Sequence, residues 1–521
     1  MLEHFPLPEP RPLQASVLSA IEKAYEDGFR YVILEAPVGS GKSAMAICAA
    51  RRYGTSHILT PKKNLQDQYF EDFHKHIHLM KGRGAYPCVY KDASQYSKII
   101  SEIKKGGTPS PSITGTSVAE GACSTGSEKV YDECNARHRC PYAVALDKAV
   151  EEDHVVHNIH SFIFQAFMHS KFDRRGILIV DEVHSLEDIC RDFMTREIRI
   201  PGKAGLDYEV PTFDTISEYR EFLLQEAFLP RRVDVRKEYL SAVDALLLTN
   251  MKGFVVEWSV DDFFNKSTLR FIPKSIRGVP ESLIFSFGER VLLMSGTIYD
   301  KAAFCQTLGI SEEEACFMRV PSTFPPQQRP IVVKSQYMTG TSFREWRGNV
   351  QHIADIVGEV MRKFPDVKGL IHTPSYYLND DLIKHLDCGI SNRVKTHGKS
   401  DFRESLESFY ASDMPLVFFS PICQEGVDFK DDRARFQVIL RIPYPSMESR
   451  IVKALADENY AWYNRKALQA FGQQTGRINR SEKDHGVTIL VDDRFPAFIR
   501  KNSSKLPKWF LDAIRTDGVK K

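Results

Sequence analysis

Short apolar segments that end in small or polar residues recur along the whole chain. Each has four or five residues, a length that suits a buried strand of a parallel sheet and is too short for a membrane span. The predicted strands are Tyr31–Glu35, His57–Thr60, Ile177–Val180 and Val291–Met294, followed by Gly369–Thr373, Leu416–Ser420, Gln437–Arg441 and Val487–Val491.

Segments of helical length lie between several of these strands. They are Ser43–Tyr53, Lys63–His76, Val350–Phe364, Asp380–Leu386 and Trp462–Phe471. Alternation of strands and helices is typical of α/β units with a parallel sheet. We therefore predict an α/β protein with two parallel-sheet lobes, the first over residues 1–80, 146–190 and 284–325, and the second over residues 326–521.

Two inserts interrupt the first lobe. Residues 81–145 include a stretch rich in Gly, Ser, Thr and Pro at 106–126, which predicts a loop-rich insert. Residues 191–283 contain segments with helical spacing, such as Glu218–Ala227 and Arg236–Leu247, which predict a small helical domain. The segment Pro325–Pro330 has the composition of a linker between the lobes.

The charges of the 521 residues nearly cancel, with 70 Lys and Arg against 68 Asp and Glu. A nucleic-acid surface would therefore be a local groove, because the chain has no global basic field. The N-terminus carries four prolines and lacks the apolar core of a signal peptide, so we expect a soluble protein that is not secreted. Ten cysteines are too few for a disulfide-built chain of this length, which indicates a reducing compartment.

The segment Ala36–Ser43 has the spacing of a phosphate-binding loop, between a predicted strand and an alanine-rich helix. In such loops the backbone N–H groups bind phosphate, glycines permit close approach, the lysine reaches the β- and γ-phosphates, and the last hydroxyl ligates Mg²⁺. The usual first glycine is Ala36 here. The residues assigned to the nucleotide are Pro37, Gly39, Ser40, Gly41, Lys42 and Ser43.

A later buried strand ends in two carboxylates, followed two residues on by a histidine. Asp181 is predicted to hold Mg²⁺, and Glu182 to act as the general base toward water. His184 is placed where it could sense the phosphate or couple the lobes. An acidic pair after a strand is often only a helix cap, but together with Lys42 it predicts an ATPase centre.

The segment Gln473–Arg480 reads Q-x-x-G-R-x-x-R. We predict that Arg477 and Arg480 lie on one face of a helix, where they could meet a phosphate bound by the other lobe. An arginine there would stabilise the transition state only when the lobes close. Gln473 is assigned to the nucleotide site with them.

These motifs resemble the superfamily 2 DNA helicases of the iron–sulfur group that includes XPD and DinG. Arg11–Gln14 resembles the adenine-reading glutamine motif, which assigns Gln14 to the nucleotide, and Glu425 and Asp428 fall in the E-G-x-D-F element that faces ATP or the interlobe network. Further segments match the family in order: Leu59–Gln68, Ser295–Thr297 and Gly369–Ser375. The resemblance implies two RecA-like lobes, ATP as substrate, Mg²⁺, and 5′→3′ movement on single-stranded or forked DNA.

Four cysteines cluster in the first insert: Cys88, Cys123, Cys134 and Cys140. Their separations of 34, 10 and 5 residues leave zinc, a cluster or free thiols all open. The family resemblance implies a [4Fe–4S] cluster on these four residues, because such helicases carry a four-cysteine domain at this place and Pro-Tyr follows the last cysteine. His138 is a spare ligand candidate.

The family also implies that the second insert is a shortened arch-like domain. For DNA contacts we name Lys62, Lys63, Gln66 and Tyr86. The first rival hypothesis is an accessory ATP-driven motor of a larger complex, for example a CRISPR-associated one; the second is a non-catalytic interaction protein. We expect a monomer, possible partners in DNA repair or replication, and a location in the cytoplasm with the nucleoid, or in the nucleus if the source is a eukaryote.

Overall fold

Three β-sheets form the framework of the computed structural model, which describes residues 1–90, 94–121, 140–201, 213–225, 233–245, 253–261, 266–334, 343–423, 427, 429–478 and 484–516. Two sheets have seven parallel strands each, and the third has three antiparallel strands. The two large sheets confirm the predicted α/β class with two parallel-sheet lobes.

The strands of the first lobe lie in the order β10-β1-β9-β5-β2-β4-β3. Helices cover both faces of this sheet, so the central strands are apolar and buried along their length. The strands are β1 (Tyr31–Glu35), β2 (Ser56–Thr60), β3 (His78–Met80), β4 (His154–Asn158), β5 (Arg175–Asp181), β9 (Gly288–Ser295) and β10 (Ala315–Arg319).

The helices of this lobe begin and end at recognisable signals. Pro12 occupies the first turn of the first helix, where its missing N–H costs nothing, and Gly309 ends a later helix with a φ of 78°. No helix in the described ranges is both long and apolar enough to cross a membrane. The helices are α1 (Pro12–Glu26), α2 (Lys42–Arg52), α3 (Lys63–Phe73), α4 (Tyr96–Lys104), α5 (Pro141–Glu151), α6 (Ile159–Ile163), α7 (Leu186–Met194), α10 (Val279–Leu283) and α11 (Lys301–Leu308).

The described part of the first insert, which includes α4 and the start of α5, packs directly on the first lobe. Tyr86, Ile99, Ile103 and Val118 are buried in the same apolar cluster as Phe162 of α6. This side of the insert therefore shares the core of the lobe.

The second insert is not the helical domain that the sequence predicts. A three-stranded antiparallel sheet, in the order β6-β8-β7, forms its largest described part, and two helices pack on it. The prediction was wrong because Phe254–Asp261 and Lys266–Pro273 become strands by pairing with each other and with Arg196–Pro201, and helical periodicity in the flanking segments does not report that pairing. The elements are β6 (Arg196–Pro201), β7 (Phe254–Asp261), β8 (Lys266–Pro273), α8 (Ile216–Leu223) and α9 (Val233–Ala245).

The second lobe repeats the plan of the first, with the strand order β13-β14-β12-β15-β16-β11-β17. Its strands are β11 (Ile331–Val333), β12 (Gly369–His372), β13 (Val394–Lys395), β14 (Val417–Ser420), β15 (Phe436–Ile439), β16 (Val487–Leu490) and β17 (Ile514–Thr516). Its helices are α12 (Phe343–Lys363), α13 (Tyr376–Lys384), α14 (Cys388–Ser391), α15 (Phe402–Ala411), α16 (Arg450–Glu458), α17 (Tyr460–Thr475), α18 (Phe495–Asn502) and α19 (Lys508–Leu511).

A buried carboxylate joins the two lobes. Glu187 of α7, in the first lobe, accepts a hydrogen bond of 2.6 Å from the indole N–H of Trp462 in α17. Its oxygens lie 3.2 Å from Arg465 and 3.3 Å from Lys466 of the same helix, and 2.8 Å from Arg191 of α7. Burial alone would raise the pKa of Glu187, but the surrounding cations outweigh it and lower that pKa to about 2.

We expect Glu187→Gln to weaken the association of the lobes by about 3 kcal/mol, because two lobe 2 cations would lose their buried counter-charge. A lower thermal unfolding midpoint would report this loss. Glu289→Gln is the matched control, since Glu289 forms an ion pair with Arg290 at the surface and its loss should cost less than about 0.5 kcal/mol.

The same comparison has a defined pH dependence. A carboxylate whose pKa is lowered in the folded state contributes its full stabilisation above the unfolded pKa of ~4.3 and loses it as the pH falls toward the folded value. The difference in midpoint between the wild type and Glu187→Gln should therefore be constant from neutral pH to about pH 5 and narrow below that. A difference that widens in acid would contradict the ion-pair assignment.

Candidate active site

The phosphate-binding loop joins the end of β1 to the start of α2. Gly39 and Gly41 have φ values of 77° and 81°, which glycine adopts without the strain of a side chain. Space also requires them: a Cβ at Gly39 would lie 2.1 Å from the ring of Phe324, and one at Gly41 would lie 2.0 Å from Nε2 of Gln14. The local sequence thus produces the loop, and neighbouring side chains close over it.

Polar contacts hold this loop in shape. The Lys42 ammonium donates to the carbonyl of Ala36 at 3.1 Å, across the mouth of the loop. Gln14 donates to the carbonyl of Ser40 at 3.2 Å and accepts from the backbone N–H of Arg11 at 2.9 Å. The structure therefore brings Gln14, Ser40 and Lys42 together, as the sequence predicts for a nucleotide site.

The two carboxylates stand at the end of β5. Asp181 is buried, and its Oδ1 accepts from the backbone N–H of Glu182 at 2.9 Å, whereas Oδ2 accepts from the hydroxyl of Tyr69 at 3.0 Å. Glu182 has a φ of 51°, a strained value for a residue with a side chain, and such strain clusters at functional sites. Burial, with the adjacent carboxylate of Asp181, raises the pKa of Tyr69 well above its usual range, so its hydroxyl remains a donor.

Burial and the surrounding charges shift the pKa values of Asp181 and Glu182 in opposite directions. Burial, followed by the neighbouring Glu182, raises the pKa of Asp181. For Glu182, burial acts in the same direction, but the hydrogen bond from His184 and the charges of Lys42 and Arg477 outweigh it and lower the pKa. Glu182 is therefore held as a carboxylate, the form that a general base requires.

His184 connects these carboxylates to both lobes. Its Nδ1 lies 2.8 Å from the hydroxyl of Ser295 and 3.3 Å from Oε2 of Glu182. Gln473, from α17 in the second lobe, approaches the same nitrogen to 3.5 Å and donates to the hydroxyl of Thr297 at 2.9 Å. Of the two roles considered for His184, this geometry matches the coupling of the lobes.

Arg477 does not lie on a helix, in contrast to the sequence prediction. The helix α17 ends at Thr475, and Arg477 follows the turn at Gly476. Its buried guanidinium donates to the carbonyl of Gln473 at 2.9 Å, to the side-chain oxygen of Gln473 at 3.0 Å and to the carbonyl of Val427 at 3.0 Å. These hydrogen bonds hold the guanidinium at the C-terminal end of α17, where its positive charge helps to lower the pKa of Glu182. Arg480, Glu425 and Asp428 lie outside the described residues.

A cleft between the lobes contains residues that the motifs do not identify. Phe324 touches the phosphate-binding loop, and Arg329 stacks on Trp509 with its guanidinium carbon 5.1 Å from the ring centroid. Phe324 directly precedes the proline-rich linker Pro325–Pro330 and Arg329 lies within it, and this linker is the one sequence signal that could have located them; Trp509 has none. The cleft is lined by Pro37, Val38, Lys42, Glu182, Thr297, Tyr299, Phe324, Arg329, Gln473 and Trp509, among others.

Two of the four clustered cysteines are described. Cys88 is half-buried, Cys140 is buried just before α5, and both pack on the same apolar cluster of the first lobe. A Cβ on Gly121 would lie 2.8 Å from the Cys88 sulfur, so this thiol faces the chain shortly before Cys123. Cys123 and Cys134 lie outside the described residues, as does His138. Within the described ranges, no group of three or more Cys, His, Asp or Glu residues could hold a metal ion.

The predicted DNA contacts divide into two pairs. Lys62 and Lys63 stand at the start of α3, where Lys63 is exposed. Gln66 and Tyr86 are fully buried, and this corrects their assignment. Gln66 donates to the carbonyl of Met80 at 3.0 Å, and the hydroxyl of Tyr86 accepts from the backbone N–H of Lys81 at 3.2 Å. The polar groups of both side chains form hydrogen bonds inside the protein, because the insert packs over this part of α3 and β3.

Comparisons with known proteins find matches in both lobes. The family model for a helicase C-terminal domain matches residues 359–513, and the one for the res subunit of type III restriction enzymes matches residues 7–199. A solved XPD helicase structure covers 98% of this chain and is covered completely, with a TM-score of 0.64 at 17% identity, which shows the shared fold. The chain therefore has a helicase C-terminal domain and the fold of XPD, and it is similar to the XPD/DinG helicases.

Curated relatives of this chain differ in length. The ATP-dependent DNA helicase YoaA of Haemophilus influenzae is 22% identical, over 93% of this chain and 91% of its own. The regulator of telomere elongation helicase 1 homolog of Drosophila grimshawi is 25% identical over 45% of this chain, and the Fanconi anemia group J protein homolog of Gallus gallus is 26% identical over 43%. Those matches span only 27% and 21% of the two longer proteins.

The Glu182→Gln variant should bind ATP and fail to hydrolyse it, with turnover reduced by about 10²–10⁴-fold. The amide keeps the shape of the side chain and the contact with His184 but cannot accept a proton from water. Binding of a fluorescent ATP analogue and release of phosphate would be measured on the same preparation. Loss of nucleotide binding, with hydrolysis falling only in proportion, would assign a structural role to Glu182.

Proposed function

We propose that this helicase hydrolyses ATP to move 5′→3′ on single-stranded DNA and to unwind forked duplexes. The observation that carries the proposal is the meeting of the lobes at the carboxylates: Gln473 and Arg477 of the second lobe stand beside His184 and Glu182 of the first. Hydrolysis then requires the closed arrangement, and a cycle of closing and opening is what a translocating motor needs.

Each of these residues has a separate role in ATP hydrolysis. Lys42 pairs with the β- and γ-phosphates once its ammonium leaves the carbonyl of Ala36. Glu182 orients a water molecule and accepts its proton. At the same time the bond between the water oxygen and the γ-phosphorus forms, and the bond from the γ-phosphorus to the β-phosphate oxygen breaks. Arg477 stabilises the charge that develops on the transferred phosphoryl group. Ser43 and Asp181 would hold Mg²⁺, which supplies charge neutralisation at the phosphates.

The donor set fits that metal. Mg²⁺ prefers hard oxygen ligands from one or two protein groups and the phosphates, and Asp181 and Ser43 supply them at the foot of the loop. The hydroxyl of Tyr69 supports this assignment, because it donates to Asp181 and so orients one of the two ligands.

Strand displacement on two substrates tests the proposed direction. A duplex with a 5′ single-stranded tail should be unwound with ATP, whereas the same duplex with a 3′ tail should be a poor substrate. Lys42→Ala is the control and should abolish both unwinding and ATP hydrolysis, because it removes the cation nearest the β- and γ-phosphates. Preference for the 3′ tail would overturn the proposed direction, and ATPase activity without displacement of either strand would favour an accessory motor.

We infer further that the four-cysteine insert holds a [4Fe–4S] cluster on Cys88, Cys123, Cys134 and Cys140. The two described thiols support it, because both pack on one apolar cluster of the first lobe and Cys88 faces Gly121, which precedes Cys123 by two positions in the sequence. Thiolate ligands suit an iron–sulfur cluster, and an insert with many turn residues gains stability from such a site. Zinc is the alternative that the same ligands would accept.

Cys88→Ser should lose the iron and sulfide of the anaerobically purified protein, while DNA-independent ATPase activity persists because the sheets of both lobes lie outside the insert. Unwinding of the 5′-tailed duplex should fail. Cys388→Ser is the matched control, since Cys388 is an exposed cysteine of the second lobe. Stoichiometric zinc in the wild type would overturn the cluster, and full unwinding by the iron-free variant would overturn its role.

A further inference from the structure

Tyr69 is a buried polar residue that no motif assigns. It lies in α3, its ring is 1% exposed, and it packs in the apolar cluster below the phosphate-binding loop. Its hydroxyl donates to Oδ2 of Asp181 at 3.0 Å. One phenol therefore contacts a residue that the proposed function assigns to Mg²⁺.

The contacts of Asp181 show what this hydroxyl does. The backbone N–H of Glu182 holds Oδ1 at 2.9 Å, and Tyr69 holds Oδ2, so both oxygens of the carboxylate are oriented. Each carboxylate oxygen has a second lone pair, which leaves room for a metal ion or its water. Groups that orient a ligand in this way support metal affinity although they do not bind the ion.

The helix that carries Tyr69 is itself held in place. One turn before it, Gln66 donates to the carbonyl of Met80 at 3.0 Å, and one turn after it the ring of Phe73 is buried. Tyr69 thus projects from a segment anchored on both sides, and its hydroxyl has a defined position. A side chain so placed can orient Asp181 without the entropy cost of ordering a flexible one.

We propose that Tyr69 is a positioning residue of the metal–nucleotide site, whose hydroxyl orients Asp181 to bind Mg²⁺ with ATP. The inference rests on the proposed function, since it assumes that the site takes Mg²⁺–ATP. It adds a residue outside the phosphate-binding loop and the acidic motif, and it ties metal binding to the helix that starts at Lys63.

Tyr69→Phe tests this because it removes only the hydroxyl and keeps the buried ring. Binding of a fluorescent ATP analogue would be measured across a Mg²⁺ titration and again in excess EDTA. The variant should need about 10-fold more Mg²⁺ for half-maximal binding, with an unchanged affinity in EDTA. Tyr25→Phe is the matched control: Tyr25 is also buried in the first lobe, its hydroxyl has no hydrogen-bond partner among the described residues, and the Mg²⁺ requirement of this variant should equal that of the wild type.

A double variant keeps the result specific. The single variant Asp181→Asn should raise the Mg²⁺ concentration needed for half-maximal binding. Adding Tyr69→Phe to it should raise that concentration no further, because the Tyr69 hydroxyl acts through the Asp181 carboxylate. An unchanged or lower Mg²⁺ requirement in Tyr69→Phe, an equal loss of binding in EDTA, or additive effects would each overturn the inference. Absence of Mg²⁺-dependent binding in the wild type would instead overturn the proposed function.

Discussion

The close packing of α17 of the second lobe against the first lobe is the contact on which the site depends. At one end of this helix Glu187 accepts from Trp462 and faces two cations of α17. Near the other end Gly472 has no room for a side chain, since a Cβ there would lie 1.8 Å from the hydroxyl of Tyr299. A buried carboxylate that loses its partners is costly, so these contacts favour one arrangement of the lobes.

That arrangement explains why the catalytic groups come from distant parts of the chain. Gln473 follows Gly472 directly and Arg477 lies five residues after it, and the approach of α17 carries them to His184 and Glu182. The carboxylates and the phosphate-binding loop are built within the first lobe. Under the proposed function, the second lobe supplies the groups that sense closure, which links hydrolysis to the relative movement of the two lobes.

Much of the framework could be predicted from local sequence. Each of the eight predicted strands overlaps a strand of the two parallel sheets, because a short apolar segment is typical of a buried strand. Strands such as His78–Met80 and Ile331–Val333 escaped prediction, since two or three residues carry no periodicity and gain strand structure only from their neighbours. The sheet of the second insert escaped for another reason: its longer strands form by pairing with one another, and the helical periodicity of the flanking segments does not report that pairing.

The sequence by itself determined the loop at Gly39–Ser43 and the carboxylates after β5, because these depend on residue types at fixed spacing along one element. Only the tertiary structure decided which side chains meet there. The sequence suggests that Gln66 and Tyr86 are surface residues, but both are buried where the insert packs on the first lobe. Arg477 follows the C-terminal end of α17, and Tyr69 contacts Asp181, which is 112 positions away in the sequence. Such contacts arise when separate elements pack on one core, and spacing along the chain does not record that packing.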